Sequence, residues 1–169
     1  MKALPHLTAV VALVLLTGCG GESPGNPAKA DPTPATSARS GFGSVKDTGD
    51  IPDPCGLLSE AEVVELTGRQ VTQVDKDGAE TGSVTRFCQW QQSGGQLAVF
   101  LARTTPAEFD STVTGATPVT GVGQEAFTLA GHLYVLYGTV QIDVYSRGGT
   151  DEENLTDAKK VAEKLFPRI

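Results

Sequence analysis

Six of the ten prolines fall between residues 20 and 54, with Gly, Ser, Ala and Thr filling most of the remainder. No apolar period runs through that stretch, so it cannot bury enough surface to offset the entropy of ordering it. The fold is therefore confined to the C-terminal part of the chain, about 115 residues, enough for one modest core. Residues Gly20 to Asp50 read as a flexible coil with a typical reach of about 30 Å. Such a coil is a tether able to hold a domain clear of a surface, and Asp53-Pro54-Cys55 closes it. The expected division is a leader over 1–18, a tether over 19–52 and one domain over 53–169.

The leader is an address. Met1-Lys2 is a short positive start, and Leu7 to Leu16 is an almost unbroken apolar run. A bilayer core takes about 20 apolar residues, so this run is too short to cross one and matches the centre of a secretory signal peptide. Next comes Leu16-Thr17-Gly18-Cys19, which resembles the lipobox of bacterial lipoproteins. That resemblance implies a diacylglycerol on the Cys19 thiol and cleavage just before it. Two or more acyl chains, at about 0.8 kcal/mol per buried methylene, hold a protein at a bilayer where one does not. The expected location is the extracytoplasmic face of the cell membrane. An ordinary secretory signal that happens to precede a cysteine is the alternative.

Charge narrows the partners. Lys and Arg number 13 against 20 Asp and Glu, a net charge of −7. Removing residues 1–18 takes away Lys2 alone among the charges and leaves −8. A chain this acidic has no basic track for phosphates, so nucleic acid is not an expected partner. Anionic headgroups would also repel it, so attachment to a membrane falls to the lipid on Cys19.

Within the domain, three helix starts share one signature, a hydroxyl residue with Glu three places on. They are Ser59…Glu62, Thr105-Pro106…Glu108 and Thr150…Glu153, each a capping box. Leu58 and Val63 have hydrophobic-staple spacing around the first, and Gly68 supplies its stop. The third leads the clearest helix, with Leu155, Ala158, Val161, Ala162 and Leu165 on one face. Between the helices the period becomes two. Strands are expected at Val84–Gln92, Leu97–Ala102, Glu125–Leu129, Leu133–Tyr137 and Val140–Ser146, with a hairpin at Gly94-Gly95. Short turns make such a sheet mostly antiparallel. The expected class is α+β, about five strands with helices packed on one face and one disulfide. Trp90, Phe87, Phe100, Phe127 and Tyr137 are the expected aromatic core.

With Cys19 lipidated, Cys55 and Cys88 remain. A secreted domain with a small core commonly carries a cross-link, and a disulfide between them is expected. For a loop of about 34 residues the chain-entropy model gives about 3.8 kcal/mol. A reactive thiol and a metal pair are the rival readings. A metal site would want further ligands, and His132 is the one histidine left after the leader is removed.

Asp53-Pro54-Cys55, Leu57-Leu58, Glu62-Val63, Leu66-Thr67-Gly68, Cys88-Gln89-Trp90, and later Gly121-Val122-Gly123 with Glu125-Ala126, together resemble an actinobacterial lipoprotein family of unknown function. The likeness spans nearly the whole domain. It implies a lipid-anchored extracytoplasmic domain with Cys55 and Cys88 paired, and it brings no catalytic residues to carry over.

Catalytic machinery is hard to assemble from this chain. His132 follows Ala130-Gly131 and is expected in a turn; any Ser-His-Asp site would have to use it, since His6 leaves with the leader. Asp151-Glu152-Glu153 reads as an acidic first helical turn rather than a cation site. Gly121-Val122-Gly123-Gln124-Glu125-Ala126 spells a loose dinucleotide pattern, yet it leads into a strand and not a helix. Asn154-Leu155-Thr156 is a glycosylation sequon in spelling only. Tyr134 and Tyr145 fall out of phase with their apolar neighbours and form a candidate partner surface. The expectation is a monomeric, non-enzymatic binding or interaction module with neither metal nor cofactor, meeting an envelope ligand or protein. A small-molecule- or lipid-binding protein, a sensory accessory of a membrane complex, and an extracytoplasmic hydrolase are the alternatives. Mass spectrometry of the native protein should find residues 1–18 removed and an acylated Cys19 at the amino terminus; an unmodified chain that retains them refutes the address.

Overall fold

The computed structural model describes residues 49–169. The leader, Cys19 and the tether up to residue 48 lie outside them. Ile51, just ahead of the expected domain boundary, is already buried in the core.

Two short helices come first, α1 (Pro54–Leu57) and α2 (Glu60–Thr67). Asp53 caps α1 by accepting from the Cys55 N–H at 2.9 Å. The Ser59/Glu62 capping box opens α2 and Gly68, at φ 70°, closes it. The strands are β1 (Val71–Lys76), β2 (Thr85–Gln92), β3 (Gly95–Arg103), β4 (Thr117–Val119), β5 (Glu125–Leu129), β6 (His132–Tyr137) and β7 (Val140–Arg147). Helix α3 (Pro106–Ser111) lies between β3 and β4, and α4 (Asp151–Leu165) ends the domain with a 3₁₀ turn at Phe166–Arg168. The capping boxes at Thr105 and Thr150 are both formed.

All strands belong to one seven-stranded sheet in the order β1-β2-β3-β7-β6-β5-β4, antiparallel at every pairing. The expected count of about five strands is therefore corrected to seven. The two additions have separate physical causes. A bulge between Val71 and Gln73 breaks the register of β1, so Val71 and Val74 share a face at a spacing of three and the period of two is lost. β4 is three residues long with Pro118 at its centre, a residue tolerated in a strand only where one side is an open edge. Neither segment carries the alternation that marks a strand.

The β2–β3 turn is Ser93-Gly94, since Gln92 pairs with Gly95. Gly95 is already strand, and a Cβ there would overlap the Arg147 carbonyl. Gly123, at φ 62°, similarly lies where a Cβ would overlap Val135 Cγ1. Sheet packing thus accounts for a glycine that also spells part of a phosphate-loop pattern.

Strand register divides the sheet into two faces. One carries Cys88 and Trp90 of β2, Leu97, Val99 and Leu101 of β3, Val140, Ile142 and Val144 of β7, and Leu133 and Val135 of β6. These fully buried residues form the main core with Ile51, Leu58, Val63, Val161, Leu165 and Ile169. Helix α4 lies over β7 and β6, while α1 joins β2 through the Cys55–Cys88 disulfide. The opposite face has its own helix. Phe109 of α3 is fully buried against Phe127 and Leu136, its ring 5.0 Å from that of Phe127. Helices therefore occupy both faces, not one. The connection from β3 at mid-sheet to β4 at the far edge must cross three strands, and the first face is already filled.

One polar network sits inside the main core. Arg69 Nη2 donates to Asp157 Oδ2 at 3.0 Å and to Ser146 Oγ at 3.1 Å, and Nε donates to Gln92 Oε1 at 3.3 Å. Gln92 Nε2 in turn donates to Thr67 Oγ1 at 2.7 Å. Two further ion pairs tie the ends. Asp77 accepts from Arg86 Nε at 2.8 Å and from the Ala79 and Phe87 N–H groups, which bring its carboxyl down to about 2. Arg168 donates to Glu62 and to the Leu57 carbonyl, and that bond to Glu62 holds its carboxyl well below the usual range.

The disulfide joins residues 33 positions apart in the sequence. Cys55→Ser should lower unfolding stability by up to about 3.8 kcal/mol, the chain-entropy value for such a loop, seen as a lower urea midpoint. An unchanged midpoint contradicts this.

Candidate functional site

On the second face α3 covers Phe127 and Leu136, with Leu129 and Tyr134 packed against them, while Phe87, Phe100, Asp143 and Tyr145 are half-buried. Antiparallel register sets them in rows. One row runs Phe87, Phe100, Asp143, Tyr134, Phe127 across β2, β3, β7, β6 and β5. The next runs Asp75, Gln89, Ala98, Tyr145, His132, Leu129 from β1 to β5. Neighbours in a row stand about 4.8 Å apart across the strands, close enough for rings to meet.

The β6–β7 hairpin builds the centre. Tyr137 pairs with Val140 around Gly138-Thr139, so His132 opposes Tyr145 and Tyr134 opposes Asp143. Diagonally, His132 Nδ1 lies 2.7 Å from Asp143 Oδ1. The histidine ring packs on both tyrosines, with centroids 4.7 Å from Tyr145 and 5.8 Å from Tyr134. Tyr134 stacks in turn on Phe127 at 5.0 Å, and Phe87 on Phe100 at 5.4 Å. The result is an aromatic belt with one carboxylate set into it.

Asp143 is 13% exposed and His132 28%. Burial pushes the Asp143 carboxyl above its ordinary value, and the hydrogen bond from His132 pulls against that shift. Burial, and then the Asp143 charge, likewise raise the Tyr134 phenol. When Nδ1 carries the proton and donates it to Asp143, Nε2 is left as an acceptor directed away from the pair. No group of three or more His, Cys, Asp or Glu among the described residues is placed to hold a metal ion. An open cleft of about 570 Å³ adjoins the cluster, where the β5–β6 turn faces the loop before α4. His132, Leu129, Tyr145, Arg147 and Asn154 line it.

Several sequence-derived candidates are now placed. Tyr134 and Tyr145 share the same open face, one on each side of His132. That histidine is the first residue of β6 and not a turn residue. Phe87 and Phe100, expected in the core, are half-buried on the open face. Cys55 and Cys88 are joined, and Asp151-Glu152-Glu153 form the first turn of α4. Asp143 does not stand out in the sequence, because a charged residue alternating with Ile142 and Val144 looks like ordinary solvent-facing polarity. The two-residue turn at Gly138-Thr139 contains the missing signal, since it sets the register that brings His132 to Asp143.

The fold and site define a single-sheet antiparallel domain with a disulfide-tethered entrance and an aromatic His–Asp cluster on its open face. The chain belongs to the family described as protein of unknown function (DUF3558), whose sequence profile covers residues 14–165. No curated protein and no solved structure matches it.

Removing the neighbouring charge should ease ionisation of Tyr134. Asp143→Asn is expected to lower the Tyr134 phenol's pKa without returning it fully to the ordinary value of about 10, because burial is the larger cause. A ¹³Cζ tyrosine titration by NMR reads this directly; an unmoved Tyr134 resonance would falsify the coupling.

Proposed function

We propose that the chain is a non-enzymatic binding module, anchored through lipid on Cys19 to the outer side of the cytoplasmic membrane, which presents its open sheet face to an envelope ligand. One observation carries the recognition half of this reading. The hydroxyls of Tyr134 and Tyr145 and the amides of Gln91 and Gln141 occupy one face, yet none hydrogen-bonds to another described residue. Side chains held by a rigid sheet with their polar heads uncommitted are suited to meeting something outside the fold. The location half rests on the sequence: the apolar run from Leu7, the Leu16-Thr17-Gly18-Cys19 box and the proline-rich stretch after it. Among the described residues no helix is long and apolar enough to cross a membrane, and a lipid anchor needs none.

A second reading, capture of a small molecule, draws on the cleft beside His132 and Tyr145. Its volume of about 570 Å³ lies in the range of ligand sites, about 300–1,000 Å³. Both readings use the same tyrosine.

The experiment compares two positions on the intact lipoprotein in native membranes. A photo-crosslinking residue at Tyr145 should yield discrete adducts, whereas the same residue at exposed Glu163 on α4 should not. Equal labelling from both positions, or none from Tyr145, refutes the assignment of this face.

A further inference from the structure

One side chain on the open face responds to a proton from solution near neutral pH. We propose that His132 is a pH-sensitive switch of this face: protonation at Nε2, with Nδ1 held by Asp143, turns a hydrogen-bond acceptor into a donor and adds a positive charge beside Tyr145. This rests on the open face being the recognition surface.

Histidine is the side chain whose charge ordinarily changes between about pH 5 and 8. Outside the leader the chain has one, His132, and register places it on the same face as Tyr134, Asp143 and Tyr145. The backbone reaches it from a two-residue turn, Ala130-Gly131, around which Leu129 pairs with His132. Both turn residues take left-handed φ, 51° and 83°, the form that matches the twist of a tight hairpin. The start of β6 is thereby fixed.

The ring itself is held as firmly. Tyr145 and Tyr134 flank it, with centroids 4.7 Å and 5.8 Å away. Nδ1 is committed to Asp143 Oδ1 at 2.7 Å. Turning the imidazole over would break that bond and leave a carboxylate that is 13% exposed without its donor, which is costly at such burial. A proton arriving from solution therefore has one ring nitrogen to go to, Nε2.

Few charged or titratable groups surround the imidazole. From β7 come Asp143, Tyr145 and Arg147, and from β6 Tyr134. Helix α4 contributes Asp151 to the cleft that His132 also lines, and the segment leading into β4 brings only Gly115 and Thr117. β5 opposes the ring with Leu129. Asp143 offsets the charge of a protonated ring, whereas Arg147 adds to it. In the neutral form Nε2 offers a lone pair, to which a hydroxyl or amide of a ligand can donate. In the charged form the same atom carries N–H, and donor then meets donor. Reversing one such contact changes binding about tenfold or more.

The test reads the ring and the face separately. In the full lipidated chain in detergent, with ¹⁵N-labelled histidine, NMR should show Nε2 gaining a proton on acidification from about pH 8 to about pH 5, while Nδ1 stays protonated throughout. In native membranes, photo-adducts from position 145 should differ about tenfold or more in yield between about pH 7.5 and about pH 5.5. His132→Gln, which keeps a neutral polar side chain, should abolish that difference, with thermal unfolding of the variant as the folding control. An Nε2 that stays unprotonated, an Nδ1 that loses its proton, or equal yields at both pH values overturns the switch and leaves the display reading standing. So does a difference in yield that persists with Gln at position 132. Absence of adducts at either pH removes the display reading, and the switch with it.

Discussion

A single partly buried guanidinium, its side chain 15% exposed, organises this domain. Arg69, in the link between α2 and β1, reaches β2 through Gln92, β7 through Ser146 and α4 through Asp157. The described residues with buried polar side chains, Thr67, Gln92, Ser146 and Asp157, all belong to its network. A charge taken out of water is costly unless paired and fully hydrogen-bonded, so these elements cannot drift apart without exposing or orphaning it. Gly95 and Gly148 both come close to the Arg69 side chain, and a larger residue at either would crowd it. Because the network ties α4 to one face of the sheet, it also determines which face is left open.

The chain's route explains the rest of that asymmetry. β1 comes first at one edge of the sheet, and the β2–β3 hairpin follows beside it. The chain then leaves mid-sheet, passes over the second face as α3, and returns as the meander β4 to β7 that closes against β3. Phe109 fills the space over Phe127 and Leu136, and Ala116, Leu129 and Tyr134 pack around them. The part of that face over β2, β3, β7 and the first half of β6 keeps a mixed character, stacked rings beside amides. A sheet face that served only as core would be continuously apolar, and one that served only as surface would have little use for four half-buried rings.

Local signals in the sequence are dependable where they rest on short-range chemistry. The three capping boxes, the Gly68 stop, the stripe along α4 and the β2–β3 hairpin each involve residues within a few places of one another, and hydrogen-bond geometry at that range leaves few options. Strand membership is less legible. β1 hides its period behind a bulge and β4 is a proline-bearing edge, so an alternation test passes over both. The helix on the second face is unreadable for another reason: nothing in Pro106–Ser111 states which side of a sheet Phe109 will meet. The site is half visible. Tyr134 and Tyr145 stand out by phase alone, whereas Asp143 and the Phe87–Phe100 pair look unremarkable until the strands are aligned.

By itself, then, the sequence determined the composition break near residue 54, three helix starts, most strands and the two domain cysteines, all of them near-neighbour matters. Tertiary structure alone decided the seven-strand order, the placing of helices on opposite faces, the burial of Asp157 against Arg69 and the meeting of His132 with Asp143. The reason is that a strand's faces are equivalent until partners are chosen. Partner choice depends on long-range burial, which no short window of residues contains.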